Sequence, residues 1–161
     1  MSATRTGYVA IVASFIVALM LTALPMPDWA ALWRPAWVAL VLIYWCIAAP
    51  AYTGIVMGWV LGLFLDVLTG TLLGQHALGL ALVAFVAHRF HLQVRVLPIW
   101  QQGISVFGLV FAYQALILWI NGIQGLPVFA AAYWSSPLVS MLLWPWIFIV
   151  LRDVRRRYHV A

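Results

Sequence analysis

The stretch GWVLGLFLDVLTGTLLGQHALG, residues 58–79, holds the feature that decides the fold, a single carboxylate inside a long apolar run. Asp66 is the only Asp, Glu, Lys or Arg among the 54 residues 35–88. In the whole chain 67% of residues are hydrophobic and 7% are charged, whereas a soluble domain carries about 25% charged residues. The sequence therefore predicts an all-α polytopic membrane protein with one transmembrane domain, residues 1–161.

The apolar runs predict six transmembrane helices in a compact bundle. A crossing helix needs about 20 apolar residues, and residues 7–24 supply the first before the prolines of PMPDW end it. The 56 uncharged residues 96–151 fit two crossings, separated by the turn-rich NGIQGLP at 121–127. Residues 35–88 contain breaks at 48–54 and 69–75, which favour three short helices over 35–49, 52–68 and 76–90. Two longer spans in that region are the alternative.

Charge placement predicts the topology. All eight basic residues apart from histidine are arginines. Two basic clusters, in residues 88–95 and 152–161, are separated by two predicted spans and so lie on one side. The positive-inside rule makes that side the cytoplasm, which places both termini there and leaves Arg34 alone on the outer side. The arginines of the C-terminal cluster are expected to contact anionic lipid, with a cytoplasmic partner as the alternative and no indication of nucleic acid. They are Arg152, Arg155, Arg156 and Arg157.

Small residues recur at every fourth position around the carboxylate. The series is Gly54, Gly58, Gly62, Asp66, Gly70 and Gly74. Its first four members are expected on one helix, where glycines let a neighbouring backbone approach closely. Packing inside the bundle is one interpretation. A groove for a partner's helix or for a ligand is the other.

Asp66 is expected to face the bundle, because an unpaired carboxylate within a membrane costs several kcal/mol. Candidate donors lie close in the sequence: the hydroxyls of Thr69 and Thr71, the N–H groups of the turn, and His76. A carboxylate at the start of the next helix would also meet the positive end of its dipole. The prediction is a structural carboxylate. The alternative is a proton or cation relay, which usually needs further acids or bases in the membrane.

Residue types argue against catalysis. The chain has no Glu and no Lys, so neither an H-E-x-x-H metal site nor a phosphate-binding Walker motif is present. No serine lies in a GxSxG elbow. His88 and His91 flank Arg89 in a basic cluster, where a solvated position is expected. We therefore predict no enzymatic activity, no cofactor and no metal.

Several segments resemble the MreD family of bacterial rod-shape-determining membrane proteins. They are GLFLDVLTGTLLGQHALGLALVAFVAHRF (62–90), PDW (27–29), LVLIYWCIAAP (40–50), IWQQ (99–102) and SSPLVSMLLWPWIFIVLRDVRRRY (135–158). The likeness runs nearly end to end. Its specific part is the D-x-x-x-G-x-x-x-G-x-H pattern of Asp66, Gly70, Gly74 and His76.

The resemblance implies a non-enzymatic scaffold in the bacterial inner membrane that serves cell elongation and peptidoglycan synthesis. Such proteins bind MreC, a single-span protein with a large periplasmic region. Through MreC they connect to RodA, to its class B penicillin-binding partner and to MreB filaments. The family is also similar to the six-helix substrate-binding S components of energy-coupling-factor transporters. The alternative function is therefore a small-molecule-binding transporter subunit of that kind.

Overall fold

The computed structural model describes residues 2–31, 33–127 and 134–160, and every regular element in them is a helix. Met1 and Ala161, the ends predicted to be cytoplasmic, lie outside the described residues. In chain order the helices are α1 (Ser2–Ala23), α2 (Asp28–Ala31), α3 (Trp37–Ala48), α4 (Ile55–Thr69), α5 (Gln75–Arg89), α6 (His91–Arg95), α7 (Ile99–Ile123) and α8 (Ser135–Arg157).

Within the described residues three helices are long and apolar enough to cross a membrane, namely α1, α7 and α8. The helices α3 and α4 are apolar but shorter, at 12 and 15 residues, and α5 also has 15 residues. At 1.5 Å per residue these three span roughly 18–22 Å, less than the hydrocarbon thickness of about 30 Å. The multi-pass helical fold is thus confirmed, and the count of six crossings stays a prediction.

The two predicted breaks in residues 35–88 are confirmed, and the alternative of two longer helices is wrong. Helix α3 ends at Ala48 and α4 does not begin until Ile55. Helix α4 ends at Thr69, where Gly70 adopts a left-handed conformation and donates its N–H to the Asp66 carbonyl. This is the usual way in which a glycine ends a helix, because its missing side chain removes the penalty for positive φ.

Helix α3 lies at the centre of the bundle. Eleven of its twelve residues are buried, and it packs against α1, α5, α6 and α8. Its sequence WVALVLIYWCIA has no polar face, and a helix that is apolar all round belongs inside a large protein or a membrane. The core thus forms around the shortest apolar helix.

Both described ends of the chain meet at one end of the bundle. Val160 is buried, and its side chain lies against Gly7, where an added Cβ would be 3.4 Å from it. The backbone N–H of Val160 bonds to the Arg155 carbonyl. The start of α1 and the end of α8 thus lie at the same end of the bundle.

Two connections differ from expectation. Part of the basic cluster at 88–95 forms the short helix α6, which the sequence pattern did not predict. Buried Gln102 holds this segment, because its Nε2 donates to the carbonyls of Val94 and Leu97, both at 3.2 Å. The predicted turn at 121–127 begins three residues late, since α7 continues to Ile123.

Candidate functional site

Asp66 is 1% exposed and its carboxylate is bonded on both oxygens. Oδ1 accepts from the His76 backbone N–H at 2.9 Å and from the Thr71 hydroxyl at 3.0 Å, and it lies 2.7 Å from His76 Nδ1. Oδ2 accepts from the N–H of Gly74 at 2.8 Å and from that of Ala77 at 3.4 Å. The predicted bonding of Asp66 to the turn and to the next helix is confirmed.

The carboxylate occupies the position of an N-cap for α5. The backbone N–H groups that donate to it are those of Gly74, His76 and Ala77. These are the N-cap residue and the second and third residues of that helix. The first N–H groups of a helix have no partner within it, and a nearby anion also meets the positive end of the dipole. Asp66 therefore caps α5 from the preceding helix, which fixes α4 against α5.

The two threonines of the turn form different hydrogen bonds. Thr71 bonds to Asp66, as predicted. Thr69, the other predicted donor, gives its hydroxyl hydrogen to the Leu65 carbonyl at 2.7 Å instead. Its oxygen lies 3.1 Å from the Thr71 hydroxyl. Thr69 thus does not bond to the carboxylate.

The glycine series divides into three groups with different roles. Gly58 and Gly62 lie within α4, but Gly54 precedes that helix in an extended conformation. The expectation that Gly54 shares the helix is therefore wrong, and a Cβ there would meet nothing within 4 Å. Gly70 and Gly74 lie in the turn with φ of 67° and 101°, so they are needed for backbone conformation rather than for close packing.

Gly58 and Gly62 are the contact points of α4 with α5. A Cβ on Gly58 would lie 2.6 Å from the Leu80 carbonyl oxygen, and one on Gly62 would overlap the backbone of Ala77. These positions favour the first interpretation of the series, close packing inside the bundle. Both glycines are buried between the two helices, which leaves no groove there for a partner's helix.

Tyr113 and Gly79 form a further close contact that the sequence reasoning missed. A Cβ on Gly79 would lie 2.6 Å from the ring of Tyr113 on α7. The Tyr113 ring also lies 6.0 Å from the His76 ring, centroid to centroid. Gly79 belongs to the quoted stretch but falls outside the four-residue spacing, so only its presence in the middle of an apolar helix could have marked it.

Polar residues at the same end of the bundle join α5 to α7. Gln75 donates from Nε2 to Asn121 Oδ1 at 2.8 Å, and its Oε1 accepts from Gln124 at 3.3 Å. Gln75 and Asn121 also line a cavity of about 440 Å³ beside His76. The structure thus brings together polar groups that are 46 and 49 residues apart in the chain.

The basic tail is less uniform than predicted. Arg152, Arg156 and Arg157 are exposed at the end of α8. The Arg152 guanidinium also lies 5.9 Å from the centroid of the Phe148 ring. Arg155 is only half exposed, and its Nε donates to the Val160 carbonyl at 3.3 Å. Three arginines are thus free to face lipid headgroups, while Arg155 helps to hold the C-terminal residues.

The chemistry of this arrangement is that of a structural lock. Asp66 accepts from four N–H or O–H donors besides the His76 ring, and the other two acids, Asp28 and Asp153, lie exposed on different helices. Among the described residues no cluster of three or more potential metal ligands occurs. A carboxylate so fully bonded holds the turn between α4 and α5 in one conformation.

Fold and site together define a multi-pass α-helical membrane protein whose buried carboxylate locks two helices together. A family model described as rod shape-determining protein MreD matches residues 3–154. The chain is 34% identical over 150 residues to the rod shape-determining protein MreD of Haemophilus influenzae. The aligned region covers 91% of each of the two chains. This chain belongs to the MreD family, and its role is in rod-shape determination. No solved structure matches it.

Proposed function

We propose that this chain is a non-enzymatic scaffold of the inner membrane that binds MreC and supports peptidoglycan synthesis during cell elongation. The observation that carries the proposal is the family match over residues 3–154. Through MreC the chain connects to RodA, to the class B penicillin-binding protein and to MreB filaments. Its described residues form helices and short connections, with large apolar side chains exposed along α1, α4, α7 and α8 for contact with lipid or other helices.

The proposal includes six crossings with both termini in the cytoplasm. The contact of Val160 with Gly7 supports an even number of crossings, and the basic tail supports the cytoplasmic side. Helix α3 need not match the bilayer thickness, because it is surrounded by other helices and irregular backbone is tolerated where protein covers it.

A cleft between α1 and α8 is our candidate for the surface where the single transmembrane helix of MreC packs. The cleft has a volume of about 600 Å³, and half of the eight residues that line it from α1 are small. These small residues are Ala10, Ala13, Ser14 and Ala18. Helices in membranes associate where small side chains let the backbones approach. We infer that MreC docks in this cleft.

We expect Ala13→Phe to reduce the MreC that copurifies with this chain by about tenfold, which corresponds to ~1.4 kcal/mol of binding free energy. Ala13 is exposed in the cleft, so a phenyl group there would keep a partner helix at a distance. The control is Ile16→Phe on the same helix, since Ile16 is exposed but lies outside the cleft. Equal recovery of MreC with both variants would place its docking site elsewhere. No recovery with the wild-type chain would refute the scaffold proposal itself.

Replacing Arg152, Arg156 and Arg157 together by serine should lower the fraction of molecules with a cytoplasmic C-terminus. Each arginine near an anionic surface contributes about 1 kcal/mol, and these three are exposed. Alkaline phosphatase, active only in the periplasm, is fused after Ala161 to report the orientation. Asp153→Ser is the control, because acidic residues contribute little to orientation. A defect in cell shape with normal orientation and normal protein levels would favour a cytoplasmic partner over lipid.

A further inference from the structure

The cavity of about 440 Å³ beside His76 lies between α3, α5, α7 and the start of α8. Its volume falls within the range of about 300–1,000 Å³ that is typical of small-molecule sites. Much of its wall is apolar, including Val38, Ala39, Leu65 and Ile117. The polar residues of the wall come from distant parts of the chain, and they include Arg34, Gln114 and Ser136.

Every buried side-chain nitrogen or oxygen that lacks a hydrogen-bond partner, within the described residues, belongs to a residue of this one cavity. The four atoms are Arg34 Nε, Trp37 Nε1, Gln114 Oε1 and Ser136 Oγ. Ser136 is only 7% exposed. An unsatisfied buried polar group costs about 1–3 kcal/mol, and native proteins contain few of them. Four on residues that line one cavity make it the place where a polar ligand would supply the missing bonds, once these covered side chains turn toward it.

The charge at this cavity is positive. Arg34 is held in place because its two terminal nitrogens donate to the carbonyls of Thr22 and Leu24, at 2.9 and 2.7 Å. The one ion pair in the described part of the chain joins His76 to Asp66, so the Arg34 guanidinium has no carboxylate partner there. Asp66 itself does not line the cavity. An uncompensated guanidinium beside apolar walls favours an anion.

The unpaired atoms also indicate which groups the ligand carries. Arg34 Nε and Trp37 Nε1 can only donate, so they need acceptor oxygens such as those of a phosphate or carboxylate. Gln114 Oε1 can only accept, so it needs a hydroxyl or amino group. The Ser136 hydroxyl can do either. The apolar wall suits a hydrocarbon portion joined to these polar groups.

We propose that this cavity binds an amphipathic anion, with a phosphate or carboxylate at Arg34 and Trp37, a hydroxyl or amino group at Gln114, and an apolar portion along α3 and α7. The inference does not rest on the scaffold role, because it concerns a site on the isolated chain. Arg34 is also the one arginine that the proposed topology leaves on the outer side, and the site supplies a reason for that position. A lipid headgroup and a free organic phosphate share this chemistry.

Binding to the purified full-length chain tests the proposal with three probes. These are dihexanoyl-phosphatidylglycerol, its zwitterionic counterpart dihexanoyl-phosphatidylcholine, and glycerol 3-phosphate. Native mass spectrometry and thermal stabilisation measure the binding. We expect phosphatidylglycerol to bind more tightly than phosphatidylcholine. Binding of glycerol 3-phosphate as well would identify a free phosphate as sufficient, whereas binding of the lipid alone would identify a headgroup. Equal binding of both lipids together with no binding of glycerol 3-phosphate would overturn the proposal.

Variants separate this site from general surface attraction. Arg34→Gln should weaken phosphatidylglycerol binding by about tenfold or more, as the loss of a charged hydrogen bond predicts. Arg89→Gln, at an exposed arginine outside the cavity, should leave binding unchanged. Equal losses in the two variants would show that the probe binds only through surface charge.

Ser136→Ala and Gln114→Leu provide a test that does not depend on Arg34, which also has structural bonds. Each replaces a polar atom that has no partner in the chain. Both variants should therefore be as stable as the wild type, or more stable, without ligand, yet bind phosphatidylglycerol several-fold more weakly. Loss of stability without ligand, or unchanged binding in both variants, would overturn the proposal.

Discussion

Gly62→Ala is expected to lower the free energy of unfolding by about 3 kcal/mol or more, at the upper end of the cost of overpacking. The added methyl group would overlap the backbone of Ala77 at the start of α5. A backbone cannot turn aside as a flexible side chain can, so α4 and α5 must separate. The same separation would pull Asp66 away from the N–H groups that it caps. The measurement is reversible denaturation in mixed micelles.

Gly108→Ala is the matched control for this prediction. Gly108 also lies inside a helix, α7, but a Cβ there would meet nothing within 4 Å. Alanine is favoured over glycine in a helix by about 1 kcal/mol, so this variant should be neutral or slightly stabilised. Gly62→Leu should be worse than Gly62→Ala. Equal stability of Gly62→Ala and Gly108→Ala would mean that α4 and α5 are not in close contact.

Asp66→Leu should have the other large effect, a destabilisation on the order of 3 kcal/mol or more. It would leave the N–H groups of Gly74 and His76 and the Thr71 hydroxyl without their acceptor, and each such loss costs about 1–3 kcal/mol. Asp28→Leu is the control, since Asp28 is exposed and surface substitutions usually change stability by less than about 0.5 kcal/mol. The same denaturation experiment compares them.

Asp66→Asn distinguishes a structural role from a role for the charge itself. It keeps one acceptor oxygen but places an NH₂ donor against N–H groups, so its stability should fall between those of the wild type and Asp66→Leu. Cell shape should then be retained in proportion to the amount of folded protein. A normal folded amount with complete loss of rod shape would instead assign the function to the charge, and a relay or ligand role would replace the structural one.

The local part of the site could be predicted from the sequence, because a buried carboxylate must be satisfied and its donors lie within eleven residues. The helix breaks followed for a similar reason, since Gly70 and Gly74 provide conformations that other residues adopt at a cost. The regular spacing of glycines was misleading only at Gly54. A spacing of four marks a helical face, but it does not show where the helix begins.

The cavity could not be predicted in the same way. Arg34 and Ser136 are about a hundred residues apart, and only the packing of α3 between α5, α7 and α8 brings them to one surface. From charge alone, Arg34 was simply the arginine on the unfavourable side of the membrane. The central position of α3 was equally hidden, because an all-apolar sequence suits lipid as well as protein.

The burial of α3 has a consequence for how the chain is made. A twelve-residue helix is short for stable insertion by itself, and the surfaces that surround it come from α1 before it and from α5 and α8 after it. At about 5–20 residues per second, α8 leaves the ribosome on the order of 5 s or more after α3. During that interval α3, which lies at the centre of the finished bundle, is not yet covered by α8. The last helix to be synthesised therefore completes the enclosure of one of the first.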